Sequence, residues 1–384
     1  MSYSYKLDTY DTGGPVPSSV TSGAATLTIG AAPPVITGQP RAQTVNSGGR
    51  VDFAVTATGA GLGYQWFFNN TAVNGATDAT YTIGAATVAE AGAYSVRVVN
   101  SGGVVTSEPA SLTVVPLIAY LGNLSVRARA GGGETLIVGV IVGGGAAGAA
   151  KTALIRGVGP TLTGFGVPGA LADPVLSVLS GSTIVASNDD WNNDAAVAAA
   201  SSAVGAFPLV PNSRDAALVG VGLGPGGYTV QLSGKAGASG NALIELYDTA
   251  APATITAANA RFTNVSARTF GGIGADTLIV GFSVAGVGTR RLVIRAIGPG
   301  LTAFGVVGAM PDPKLELYAG AAKAGENDNW DVSTLAAQQS VGAFALASGS
   351  RDAVLVTTLA PGSYTVQVTG GTTGVALVEV YEAP

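Results

Sequence analysis

The chain has 384 residues, a net charge of −5 and neither cysteine nor histidine. Disulfides, thiol nucleophiles, thiolate metal sites, the commonest general base and any Ser-His-Asp arrangement are therefore excluded. Its 18 Lys and Arg residues are scattered and form no basic face for nucleic acid or an acidic membrane surface. Only 11% of residues are charged, while Gly supplies 57 positions. The apolar runs break at Gly, Asn or Asp every ~8–12 residues, a spacing that suits short strands and tight turns. No apolar run is long enough to predict a transmembrane helix. The length allows roughly two to four domains.

Residues 1–30 repeat a later stretch. Tyr3-Ser-Tyr-Lys-Leu7 echoes Tyr94-Ser-Val-Arg-Val98, Gly13-Gly14 echoes Gly102-Gly103, and Thr21 to Ile29 aligns without gaps on Thr106 to Val114. The segment thus reads as a β-hairpin. Met1 is followed by Ser-Tyr-Ser-Tyr-Lys, with no basic n-region and no apolar h-region. A signal peptide is not expected in this numbering.

In residues 31–116, Val51, Phe53 and Val55 alternate along one face, followed by Tyr64-Gln-Trp66, Glu90-Ala-Gly-Ala-Tyr94-Ser-Val96 and Leu112-Thr-Val114. This segment resembles an immunoglobulin-like domain of the cysteine-free kind found in large secreted bacterial proteins. In that family a buried Trp packs on a disulfide, and a Tyr two residues before the second Cys forms the tyrosine corner. The resemblance places Trp66 and Tyr94 in those roles, with Val55 and Val96 where the cysteines would stand. Two valines keep the core dry but forgo roughly 2–4 kcal/mol of cross-link stabilisation. On this resemblance, residues 1–30 are the last two strands of another such domain. A lone hairpin is marginal in water. Either the sequence is a piece of a longer tandem array, or the hairpin completes a sheet on a neighbouring subunit and builds a head-to-tail polymer.

Residues 117–250 and 251–384 are two copies of one pattern. Leu124-Ser-Val-Arg127 answers Val265-Ser-Ala-Arg268, and Leu154-Ile-Arg-Gly-Val-Gly-Pro160 answers Val293-Ile-Arg-Ala-Ile-Gly-Pro299. Asn188-Asp-Asp-Trp191 answers Asn327-Asp-Asn-Trp330, and Ala242-Leu-Ile-Glu-Leu-Tyr247 answers Ala376-Leu-Val-Glu-Val-Tyr381. The apolar run Leu136–Val142 predicts a strand buried on both faces. Tyr228-Thr-Val-Gln-Leu232 and Tyr364-Thr-Val-Gln-Val368 alternate as half-buried antiparallel strands do. One short helix per copy is predicted, over 194–204 and 333–341, the first capped by Asp194. The expected fold is all-β: an immunoglobulin-like sandwich plus two β-sandwich or jelly-roll-like copies, each with one short helix. The copies resemble repeat domains near the C-terminal end of very large exported proteins of environmental bacteria, which implies a structural or adhesive role.

Clustered oxygen ligands make Asp189, Asp190, Asn192 and Asp194, with Asn327, Asp328, Asn329 and Asp331 in the second copy, candidates for Ca²⁺. The spacing is not that of an EF-hand, and the same residues suit Asx-turns and helix caps. No other cofactor is implied. Arg156 and Arg295 sit in apolar surroundings and are expected to pair internally with Asp215 and Asp352. Gly157-Val-Gly-Pro-Thr-Leu-Thr-Gly164 lacks the Lys-Ser/Thr ending of a phosphate loop and reads as a turn. Glu134, Glu245, Glu316 and Glu379 cannot be placed as the paired acids of a glycosidase.

The sequence therefore predicts a non-catalytic, extracellular structural protein of the cell surface, self-associating through its N-terminal hairpin into a filament, fibre or adhesive stalk. The alternative is a glycan-binding accessory region of a large secreted enzyme or adhesin, contacting a glycan or another surface ligand.

Overall fold

The computed structural model describes residues 30–131, 135–145, 149–274 and 277–384, with four two-residue strands between Ser2 and Thr26. Gly13-Gly14, Glu134 and part of the Gly143–Ala150 run lie outside the described residues. The fold is all-β and divides into two units, Met1–Pro116 and Leu117–Pro384. Among the described residues no helix is long and apolar enough to cross a membrane.

The first unit holds an immunoglobulin-like sandwich. In one sheet, Gly63–Phe68 pairs with Gly92–Asn100, which also pairs with Gly103–Thr106 and Ala110–Val115. Gln43–Asn46 joins Ala110–Val115 in parallel. Facing them, Val51–Ala54 pairs with Thr80–Ile83, and Val35–Gly38 with Thr56–Thr58. Period-two alternation buries Val51 and Phe53 and exposes Asp52 and Ala54, because successive strand side chains point to opposite faces. Val55, Trp66, Tyr94 and Val96 all lie in the resulting core. Trp66 Nε1 donates to the Asp78 carbonyl at 2.9 Å, and the Tyr94 hydroxyl donates to the Glu90 carbonyl at 2.9 Å. The second bond is the closure that defines a tyrosine corner. The Phe53 ring stacks on Tyr94 with centroids 4.7 Å apart.

The N-terminal segment repeats this ladder. Ser2 pairs with Thr26, Tyr3 with Ala25, Lys6 with Thr21 and Leu7 with Val20. The corresponding later pairs are Ala93 with Ser111, Tyr94 with Ala110, Arg97 with Thr106 and Val98 with Val105. All four registers coincide with the sequence echo.

Among the described residues the second unit has sixteen strands, eight per copy. The first copy comprises β1 (Ala119–Gly131), β2 (Leu136–Gly143), β3 (Lys151–Val158), β4 (Pro174–Ser180), β5 (Thr183–Asn188), β6 (Ala216–Leu223), β7 (Gly226–Gly234) and β8 (Ser239–Asp248). The second repeats the order as β9 (Arg261–Gly271), β10 (Leu278–Gly286), β11 (Arg290–Ile297), β12 (Lys314–Ala319), β13 (Ala322–Asn327), β14 (Ala353–Leu359), β15 (Gly362–Thr369) and β16 (Gly374–Glu382). Each copy packs two four-stranded ladders, β5-β4-β7-β2 and β6-β3-β8-β1, with their counterparts eight strands later.

The two sandwiches are continuous with each other. β2 pairs with β9 from Ile137/Arg268 to Gly143/Arg261, and β1 pairs with β10 from Ala119/Gly286 to Val126/Val280. One core accordingly runs through both copies, from Leu136, Val138 and Ile155 to Val280, Ile294 and Val380. β2 differs from its expected burial on both faces. Leu136, Val138, Val140 and Val142 are buried, whereas Ile141 is exposed. An antiparallel sheet keeps one face on the core and leaves the other for solvent.

The two helices sit where predicted, as α1 (Ala195–Ala203) and a shorter α2 (Leu335–Ser340). A 3-10 turn, Val332–Thr334, takes up the start expected of the second helix.

Candidate functional site

The Asn/Asp loops connect β5 to α1 and β13 to α2, and their side chains are engaged separately. Asp189 pairs with Lys235 at 2.6 Å, and this pairing holds its carboxyl below the usual range. The Asp190 carbonyl accepts from the amides of Asn188 and Asn192, both at 2.9 Å. Asp194 caps α1, accepting from Ala196 N at 2.7 Å. Asn192 and Asn193 adopt left-handed backbone, with φ of 53° and 56°, a conformation Asn tolerates better than most residues. In the second copy, Asn327 Oδ1 accepts from Val354 N at 2.9 Å, and Asp331 Oδ1 accepts from Ser333 N at 2.8 Å. Asp328 and Asn329 are exposed. Among the described residues, no group of three acidic side chains is arranged to hold a metal ion. The loops act here as turns and caps.

The buried arginines differ from expectation in their partner. Arg156 and Arg295 are fully buried, but neither pairs with the aspartate proposed for it. Arg156 Nε donates to Glu245 at 2.8 Å, and NH1 donates to the Phe207 carbonyl at 2.6 Å. Its guanidinium carbon lies 4.4 Å from the Phe207 ring centroid. Tyr247 completes the set, donating to the other Glu245 oxygen at 2.6 Å. Arg295 repeats the arrangement with Glu379 at 2.8 Å, Phe344 at 4.2 Å and Tyr381 donating to Glu379 at 2.7 Å. Burial pushes both tyrosine hydroxyls above their ordinary range, with the neighbouring carboxylate adding to the shift.

The reason is register. Arg156 lies opposite Glu245 in the β3–β8 ladder, and Arg295 lies opposite Glu379 in β11–β16. Residues directly opposite on neighbouring strands share a face and are close enough to pair. Recurrence of Glu245 and Glu379 next to Tyr247 and Tyr381 was the sequence signal for these partners.

Asp215 and Asp352 have another task. Asp215 accepts from Gly159 N at 2.7 Å, from Thr161 N at 3.3 Å, from the Thr161 hydroxyl, and from the Ser213 hydroxyl at 2.6 Å. Asp352 accepts from Gly298 N at 2.8 Å, Gly300 N at 3.1 Å and the Ser350 hydroxyl at 2.7 Å. Each aspartate thereby pins a 3-10 turn, Pro160–Phe165 or Pro299–Phe304.

A further cluster, which sequence reasoning missed, lies where the copies meet. Glu382, at the end of β16, accepts from Leu121 N of β1 at 2.9 Å and from Arg261 Nε at 2.7 Å, and also pairs with Arg290. Its first-copy counterpart Asp248 contacts Lys151, with both side chains buried. Nothing in composition or spacing singles out these five charges, because β-ladder register alone brings them together.

No protein-family model matches the sequence, and no curated protein matches it. Among solved structures, the chain is similar to a chimeric titin Z1Z2 functionalized with an exogenous decorin peptide. The identity there is 27%, over 22% of this chain and 98% of that one, with a TM-score of 0.21. It is similar to tandem Ig repeats of Dlar at 26% identity, over 22% of this chain and 48% of that one, with the same score of 0.21. The N-terminal four Ig domains of Dscam1 match at 24% identity, over 29% of this chain and 27% of that one, also at 0.21.

Proposed function

We propose that the chain is a non-catalytic structural segment of an extracellular bacterial surface protein, serving as a subunit of a filament, fibre or adhesive stalk. Its buried arginine pairs and turn-pinning aspartates support this reading, because they hold strands and turns together. Arg156 and Arg295 are matched by Glu245 and Glu379, and Asp215 and Asp352 by backbone N–H groups.

The observation that carries the reading is the N-terminal ladder. Ser2, Tyr3, Lys6 and Leu7 pair with Thr26, Ala25, Thr21 and Val20 in the register of the last two strands of an immunoglobulin-like sandwich. The open edge of such a ladder can be satisfied by strand addition from another sheet. A head-to-tail contact of this kind propagates without closing, as a fibre requires.

The test compares the full chain with residues 31–384 by sedimentation velocity and negative-stain microscopy. The full chain is expected to form linear polymers and the truncated chain to remain monomeric. Polymers of equal length from both would remove the hairpin's role, and monomers from both would overturn self-assembly.

A further inference from the structure

Lys151 opens β3 and Asp248 closes the adjacent β8, where Asp248 pairs with Ala153. Lys151 is therefore two residues along the same strand face. Lys151 Nζ touches Asp248 Oδ1, and the two side chains are only 4% and 0% exposed. The carboxyl group is held unevenly. Oδ1 also accepts the Ala250 N–H at 2.7 Å, whereas Oδ2 is buried without any hydrogen-bond partner.

Such a pair is expensive to keep ionised, since two charges stripped of water regain only part of their solvation from each other. Burial raises the Asp248 acid above its ordinary range despite the opposing pull of Lys151, and the negative charge of Glu382 pushes in the same direction as burial. The Tyr120 hydroxyl is the other titratable group influenced by Asp248, and burial keeps it protonated well above its ordinary range. Burial thus favours the protonated acid over the carboxylate at Asp248. Fixing two reactants in contact is worth effective concentrations of about 10⁵–10⁸ M in well-oriented cases.

We propose that Lys151 and Asp248 condense into an intramolecular amide. The ammonium first passes one proton to Oδ1, the oxygen it touches, leaving an amine and an acid. The Nζ lone pair then forms a bond to Cγ, while Oδ2 takes the negative charge. Nitrogen gives up a second proton to the Oδ1 hydroxyl, the Cγ–Oδ1 bond breaks, and water leaves. Oδ2 returns to a carbonyl. Ammonium plus carboxylate becomes amide plus one water, so atoms and charge balance and no oxidant or reductant is needed.

The second copy supplies an internal control. Its corresponding residues are Arg290 and Glu382, with Glu382 opposite Leu292 as Asp248 is opposite Ala153. A guanidinium is always protonated and a poor nucleophile, so that pair stays an ion pair, shared with Arg261. The covalent bond is confined to the first copy, where it ties the start of β3 to the end of β8.

Intact-mass spectrometry of the full chain tests this directly. The expected mass is that of the sequence less one water, and proteolysis should release one branched peptide joining Lys151 to Asp248. Lys151→Arg and Asp248→Ala should each restore the full sequence mass. An unmodified mass for the native chain overturns the proposal. So does a water loss that persists in either variant, or one that maps to a peptide other than the Lys151–Asp248 branch.

Discussion

The Asp215 carboxylate accepts the Gly159 backbone N–H at 2.7 Å, so the chain's own acid occupies the place that a glycine-rich turn offers to an anion. Gly159 is required there, because a Cβ would lie 2.1 Å from the Leu171 carbonyl oxygen. The carboxylate also meets buried Thr161 and half-buried Ser213. Asp215→Asn keeps the shape but removes the charge and turns a donor toward these N–H and O–H groups. Losing charge-assisted bonds at a buried site costs about 3 kcal/mol. Chemical denaturation should show a loss of that size. Asp352→Asn should cost less, because Gly300 replaces Thr161 and brings no hydroxyl to that carboxylate.

The Arg156–Glu245 pair makes a sharper prediction. Glu245→Gln leaves a fully buried guanidinium without its counter-charge, an outcome that costs about 3–5 kcal/mol. Arg156→Met alone strands the carboxylate instead, with a similar penalty. The double variant Arg156→Met with Glu245→Leu removes both charges together. Its destabilisation should fall well below the sum of the single changes, and a double-mutant cycle in urea measures the difference. Additive losses would mean that the two side chains are independent.

How much of this was legible in the sequence depends on the distance over which each feature is decided. The immunoglobulin-like core was legible because Val51, Phe53 and Val55 alternate locally and Trp66 and Tyr94 keep their spacing. The cap at Asp194 was equally local, since it needs only the next three residues. The partner of Arg156 was not, because Glu245 lies 89 residues away and only the β3–β8 register brings it opposite. Asp215, closer in sequence and placed beside Arg214, was the more obvious acid but belongs to a turn. The joining of the copies through β1–β10 and β2–β9 was hidden for the same reason. A repeat in sequence reveals that two segments share a fold, but not whether their strands pair across the boundary.

In the immunoglobulin-like unit, burial lifts the Tyr94 hydroxyl from 10.0 to about 12, with Tyr81 and Glu90 adding smaller pushes. The unfolded chain therefore loses this proton at lower pH than the folded one. The folded state's advantage is complete below pH 10 and is lost as pH rises from 10 towards 12. Thermal melts should show the first unit weakening across that window. Tyr94→Phe should abolish this component of the pH dependence, at a cost of about 1 kcal/mol at neutral pH for the lost bond to Glu90.

Calcium would have to compete with partners already in place. Asp189 holds Lys235, Asp194 holds the first N–H groups of α1, and Asp331 holds Ser333 N. A Ca²⁺ ion asks for six to eight oxygens converging on one point, so binding would break an ion pair and uncap a helix before any return. The melting temperature of the second unit should be the same in chelator and in millimolar Ca²⁺. Asp194→Ala should lower stability by about 1 kcal/mol through loss of the cap, and by the same amount with or without Ca²⁺. A calcium-dependent rise in melting temperature that vanishes in Asp194→Ala would show instead that the ion recruits this carboxylate from its helix.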